Sequence, residues 1–468
     1  MARKIASIPV EYRLSAEKDK WWLHYLYRVF IGDLDNDGEY EYLLCAGDIL
    51  QIAYKGNGKV LWRYEDSNGR ASDIRPASDV PIYDIDGDHR AEVVVPRLKN
   101  NILHLVVLDG ATGQEKCSCP YPHPEMKCQS DTRGFIVVAD FGDSDGKMHL
   151  VAGFDYMYAA VFDSKLNFKW ERVLGLTRPK WLDLFTEIYG TDYSDIFTGH
   201  GHTPRVVDID HCGRDEIIFG ATVLRHDGSL LWSRGDLFRR LPPYRGAGPA
   251  QRDLTGNHVD SVAVGDFNED GDQEVFFSSG AVMVDKNGRL LWTKGMDYIV
   301  HGQTAMAGKW MQGKGRQLFL LDQRGRLATG AANPIEGRWV FDKSGDMVNV
   351  YSHGGELIRT FPGGNFSVGD WNGDGLDELL LLDQSGNRLD IIDGEGKIID
   401  RIDNWGKVKR IIAVDLNGDA CVEVLAPTWD EKTKTARIDI YGQEKQKKSA
   451  VKSSCCKNTK SIANMPYT

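Results

Sequence analysis

Short apolar runs broken by tight polar turns recur along almost the whole chain. Runs such as Tyr42 to Leu44 and Val93 to Val95 are too short for helices. They are bounded by Asp- and Gly-rich segments, which is the pattern of strands joined by hairpins. Helical spacing is nearly absent, and only Trp181 to Tyr189 reads as a short helix. The pattern predicts an all-β protein.

The runs are organised by a repeat. Each unit has an apolar run, then Asp-x-Asp/Asn-x-Asp-Gly, then a Glu three residues past the Gly position, then a second apolar run. A further hairpin follows, with a turn such as Asp-x-x-Gly, and it often ends in Leu-Trp. The boxes are Asp33, Asp35, Asp37 and Glu41; Asp84, Asp86, Asp88 and Glu92; a looser third copy at Asp140, Asp143 and Asp145; Asp208, Asp210 and Glu216; Asp266, Asn268, Asp270 and Glu274; Asp370, Asn372, Asp374 and Glu378; and Asp415, Asn417, Asp419 and Glu423. A sixth unit near Gly308 to Leu321 keeps the strand pattern without the carboxylates. Successive units begin roughly 43 to 68 residues apart, the length of one four-stranded blade. The expected architecture is an eight-bladed β-propeller over residues 1–442, with insertions at about 171–200 and 236–256. Ile5 to Tyr12 is expected to supply a strand to the last blade. Residues 443–468, rich in Lys and Ser, are expected to be a disordered tail.

Composition sharpens this picture. A net charge of -11 argues against a nucleic-acid partner, which needs a basic face. No run approaches a bilayer span, so no membrane partner is expected. The first residues show no apolar leader, which favours a cytoplasmic location, or a secreted one if the N-terminus is incomplete. Eight Cys form no disulfide framework. Cys45 and Cys421 lie in apolar runs and read as buried thiols, whereas Cys117, Cys119 and Cys128 lack a fourth ligand at zinc spacing.

Much of the acidity sits in the boxes. Oxygen ligands at positions 1, 3 and 5 of a tight loop, closed by a later Glu, suit Ca²⁺. Five boxes keep all four side chains; the fourth has Cys212 at position 5, a poor partner for Ca²⁺. The boxes also read as Asp-rich turns held by side-chain-to-backbone hydrogen bonds. Calcium is the expected cofactor, in a structural role.

Ligands of such folds bind at the channel mouth, upstream of each box. Polar candidates gather there: Asp79, Arg133, His200, His202 and Arg205, then Asn257, His258 and Asp260, then His301, Gln303 and Lys309. Four of these His stand at equivalent points of three consecutive units. The two long insertions beside them carry aromatic and basic residues, which suit stacking on sugars and pairing with carboxylates.

Boxes such as GDLDNDGEYEYLL, YDIDGDHRAEVVV and VDIDHCGRDEIIFG resemble those of rhamnogalacturonan lyases of polysaccharide lyase family 11. So does the order of landmarks, with GHGH before the fourth box and GNHVDS before the fifth. The resemblance covers roughly residues 25–430. It implies a calcium-rich eight-bladed propeller that cleaves an acidic plant-type saccharide by β-elimination. Proton abstraction beside a uronate carboxylate needs that carboxylate neutralised, by Arg205, Arg133 or Ca²⁺. His202, His258 and His301 are the candidate bases, with Lys309 a weaker one. His200, Asn257, Asp260, Gln303, Arg133 and Asp79 are the candidate substrate contacts. A non-catalytic carbohydrate- or protein-binding propeller is the alternative. A hydrolase ranks third, because Asp79 and Asp260 are the only obvious mouth acids.

Overall fold

The computed structural model describes residues 2–10, 27–46, 50–66, 80–122, 134–143, 145–154, 158–173, 204–238, 259–295, 298–299, 302–313, 315–323, 345–403, 408, 410–430 and 435–443. Their strands form eight four-stranded antiparallel sheets; seven are simple meanders in chain order, and the eighth joins the last three strands to the first strand of the chain. This is the eight-bladed β-propeller that the repeat predicts. The blades span residues 27–65, 82–120, 134–173, 205–233, 262–293, 302–362, 366–403 and 412–443. The chain divides into two compact units. The described residues within Ala16–Asp236 carry blades one to four; those within Leu237–Val451, with the first strand of the chain, carry blades five to eight. The expected helix at Trp181 to Tyr189, the bulk of both insertions and the tail from 444 lie outside the described residues. Among the described residues, no helix is long and apolar enough to cross a membrane.

The middle strands are largely covered on both faces and are mostly apolar. In the second strand of blade seven, Glu378–Leu382, every residue is buried. Fourth strands alternate, as in Val60–Glu65. Apolar side chains meet between adjacent blades. Val94 and Leu105 of blade two pack with Ile136 and Leu150 of blade three. Leu380 and Ile391 of blade seven pack with Val424 and Ala426 of blade eight.

The Leu-Trp ending is a clasp between neighbouring blades. Trp62 of blade one donates its indole N–H to the Gly110 carbonyl of blade two at 2.7 Å. Trp170 of blade three reaches His226 O of blade four at 2.9 Å, and Trp292 of blade five reaches His353 O of blade six at 2.8 Å. In each case the ring lies on a glycine of the neighbour's outer turn: Gly113, Gly228 or Gly355. These glycines have φ of +66°, +80° and +88°, and a Cβ there would come within 2.6 to 2.8 Å of the indole. The turn therefore demands Gly twice, for backbone sign and for ring space. In blade six the position is taken by Arg359, which lies against Gly396 of blade seven.

The last blade is completed by the start of the chain. Ala2–Val10 pairs antiparallel with Thr435–Gln443. The expected closing strand is thus present, with its start earlier than Ile5; residues 11 and 12 lie outside the described set. Asp439 is fully buried and joins the two strands, accepting hydrogen bonds from Lys4 Nζ at 2.8 Å and Ser7 Oγ at 2.6 Å, with Arg437 Nε at 3.0 Å. Burial opposes its charge, but these three donors outweigh burial and hold the carboxyl below its usual range.

Two expectations follow. Trp62→Ala should cost about 3–5 kcal/mol of stability and Trp62→Phe about 1, read from denaturant midpoints. Asp439→Asn should speed amide exchange in Ala2–Val10. Because Asp439 stays charged in the fold at pH values where an unfolded Asp takes up a proton, its contribution is whole above about pH 4 and drains away on further acidification. The acid limb of wild type should therefore be steeper than that of the Asn variant.

Candidate functional site

Each complete box joins the first strand of its blade to the second, and the six with a closing Glu share one hydrogen-bond scheme. The Glu opens the second strand, is buried, and accepts the backbone N–H of the loop's second residue: Leu34 to Glu41 at 2.7 Å, Ile85 to Glu92 at 2.8 Å, Ile209 to Glu216 at 3.0 Å, Phe267 to Glu274 at 2.8 Å, Trp371 to Glu378 at 2.7 Å and Leu416 to Glu423 at 2.9 Å. The first Asp gathers the amides across the loop. Asp266, for example, accepts Asp270 N and Gly271 N, both at 3.0 Å. The fourth and sixth residues of every loop have positive φ. Glycine serves either place: Gly38 at position 6 in box one, Gly87 at position 4 in box two, Gly418 at position 4 in box eight. This explains the boxes that lack the expected glycine.

The loops thus hold their shape through their own hydrogen bonds, and their carboxylates remain crowded. Burial, reinforced by the charges of the loop Asp residues, pushes Glu41, Glu216 and Glu378 up to about 7 and also raises Glu92 and Glu274. The crowding is relieved differently from box to box. In box one, Lys55 Nζ enters the loop, 2.6 Å from Asp35, 2.7 Å from Asp37 and 3.8 Å from Glu41. In box two, Lys116 Nζ lies 2.7 Å from both Asp86 and Glu92 and 3.4 Å from Asp88. These ammonium groups supply the positive charge that a metal ion would. In boxes five, seven and eight, the position-3 Asn turns Nδ2 to the free oxygen of the Glu, at 3.0, 2.8 and 3.0 Å. Turning that amide over would direct four oxygens inward, as a hard cation requires. Asp33, Asp35 and Asp37, and Asp84, Asp86 and Glu92, are close enough to share an ion, as are Asp208, Asp210 and Cys212.

The units without a closing Glu are repaired by the next blade. Asp215 of blade four accepts Asp140 N at 2.8 Å, and Asp377 of blade seven accepts Lys309 N at 2.6 Å. Lys309 occupies the first-Asp position of the lost sixth box. It is exposed at the box end of its strand, six residues from Gln303 and therefore roughly 20 Å away along the strand. Its side chain is not gathered with Gln303, the other sixth-unit candidate among the described residues. Box three has dispersed: Asp143 faces His149 and Asp145 pairs with Lys147.

Asp260 and Gln303 do come together. Both are buried at the starts of blades five and six, where Gln303 Nε2 donates to Asp260 Oδ1 at 2.7 Å. The strand starts are locked beside them: Ser278 Oγ accepts Ser261 N at 3.1 Å, and Ser261 Oγ accepts Ala305 N at 3.2 Å. Gly302 is required because a Cβ would come within 2.0 Å of Ser278 O. Arg205 opens blade four and is half-buried. Asp79, Arg133, His200, His202, Asn257, His258 and His301 lie outside the described residues.

Some residues differ from or escape the sequence reading. Cys45 is buried as expected, but Cys421 is half-buried in box eight, its amide held by Asp419. Lys55 and Lys116 stand among ordinary turn and strand residues; only pairing them with a box in space shows their part. Arg97 is buried over the Tyr64 ring and bonded to Gln51, and burial lowers its pKa.

No protein-family model matches the chain. Two curated proteins of Bacillus subtilis are similar over 261 residues: rhamnogalacturonan endolyase YesW at 27% identity and rhamnogalacturonan exolyase YesX at 26%. The match is 44% of this chain and spans only 39% of each relative's length. The crystal structure of exotype rhamnogalacturonan lyase YesX superposes with a TM-score of 0.64 at 22% identity, over 92% of this chain and 75% of that one.

If the Lys55 ammonium is the counter-charge of box one, Lys55→Met should cost about 2 kcal/mol in metal-free buffer. Added Ca²⁺ should recover most of that loss, since the variant exposes the three carboxylates to it. A calorimetric melt with and without Ca²⁺ checks both parts.

Proposed function

From a chain that shares the fold, and a stretch of sequence, with the rhamnogalacturonan lyases, we propose a polysaccharide lyase that cleaves uronate-containing saccharides of the rhamnogalacturonan type by β-elimination. The observation that carries this reading is the sequence match to two lyases of one substrate class, together with the shared fold.

The chemistry assigns tasks to this chain's residues. A uronate C5 proton becomes acidic once its carboxylate is neutralised, and Arg205 or Arg133 is suited to that work. A neutral imidazole takes the proton, the C4–C5 double bond forms as the C4–O bond breaks, and the leaving oxygen takes a proton from a second group or water; His202, His258 and His301 are the candidate bases. Asp260, two residues after His258, and Gln303, two residues after His301, are anchored to each other, and Asp260 offers an acceptor for a sugar hydroxyl. Calcium belongs to the same proposal in a structural role: in boxes five, seven and eight it would bind Asp266, Asn268, Asp270 and Glu274, and their counterparts, and replace mutual repulsion by coordination. Boxes one and two carry their own ammonium and have less use for it.

Incubation with rhamnogalacturonan oligosaccharides should generate the ultraviolet absorbance of an unsaturated uronide. His258→Ala and His301→Ala should each lower turnover at least a hundredfold with unchanged circular dichroism. A saturated product would identify a hydrolase, and no turnover a binding module. Separately, a calcium-selective chelator should lower the melting temperature and added Ca²⁺ restore it; an unchanged melt rejects the calcium role.

A further inference from the structure

Box four differs from the other five that keep the Glu. Position 5 is Cys212 where the others have Asp. The Cys212 thiol is exposed, and its sulfur lies within 4.8 Å of carboxylate oxygens of both Asp208 and Asp210. The remaining member of the loop is Glu216, 1% exposed. Its Oε2 accepts Ile209 N, as in every sister box, while its buried Oε1 has no hydrogen-bond partner among the described residues. In boxes two, five, seven and eight the matching oxygen meets Lys116 or a position-3 Asn. Box four offers neither. Position 3 is Asp210, which has nothing to donate, and the nearby cations are turned elsewhere: Arg225 to Leu230 O and Arg214 to His226. Among the described residues, then, a buried carboxylate oxygen without a hydrogen-bond partner stands beside the Asp208, Asp210 and Cys212 cluster, and the charges of both Asp residues act on it.

We infer that box four binds a borderline-soft divalent cation of the Zn²⁺ class, through the Cys212 sulfur and carboxylate oxygens of Asp208, Asp210 and Glu216. A sulfur and three oxygens make a four-coordinate set of the kind Zn²⁺ accepts, whereas Ca²⁺ requires six to eight oxygens. The thiol releases its proton to solvent as it ligates. The site is separate in chemistry from the proposed calcium boxes and does not depend on the lyase reading.

Cobalt(II) is the probe. Titrated into the full chain after removal of metals, it should produce a near-ultraviolet thiolate-to-cobalt charge-transfer band with the strong visible bands of a four-coordinate ion. Zn²⁺ should displace it, and a large excess of Ca²⁺ should not. Cys212→Ser should abolish the charge-transfer band, and Asp210→Asn should keep it while weakening affinity at least tenfold. Both side chains are exposed, so circular dichroism should confirm an intact fold. A band absent from wild type, a band that persists in Cys212→Ser, or affinity unchanged in Asp210→Asn would each overturn the assignment.

Discussion

The hydrogen bond from a loop amide to a buried Glu carboxylate sets the form of each complete blade. It ties the second residue of the box to the first residue of the next strand, 2.7 to 3.0 Å across. With one oxygen fixed there, the other must face the loop's own acids in a place water hardly reaches. The fold therefore carries a built-in electrostatic debt at every box, and a charge or a donor has to answer it.

The answers differ although the loops do not. Lys55 comes from the end of a third strand and Lys116 from a fourth strand, yet both ammonium groups arrive among the same three kinds of carboxylate. Asn268, Asn372 and Asn417 solve the problem within the loop by donating an amide hydrogen. Box four has no internal answer among the described residues. A repeat that looks uniform as a motif is thus a set of chemically distinct places, some closed by the protein and some open to an ion.

Between blades the logic is backbone-directed. Indoles donate to the neighbour's turn carbonyls over glycines that leave room for them. Where a box has lost its Glu, an Asp of the next blade captures a loop amide instead, as Asp215 and Asp377 do. The same need, an unpaired amide at a strand end, is met from outside once it cannot be met from inside.

Much of this was readable in one dimension. Loop carboxylates at fixed offsets, short apolar runs between tight turns and a recurring Leu-Trp are local patterns, so the blades, their order and the boxes were legible from residues alone. Asp260 and Gln303 meet in the structure because equivalent points of adjacent repeats become neighbours. Lys309 did not join them, since its place at a strand's far end depends on where a box once stood. The sequence by itself determined the repeat and therefore the blades, because hairpin turns and the short apolar runs between them act over a few residues. Only the tertiary structure decided which cation answers each acidic loop, because Lys55, Lys116 and the unanswered Glu216 are defined by distances between strands that no spacing along the chain encodes.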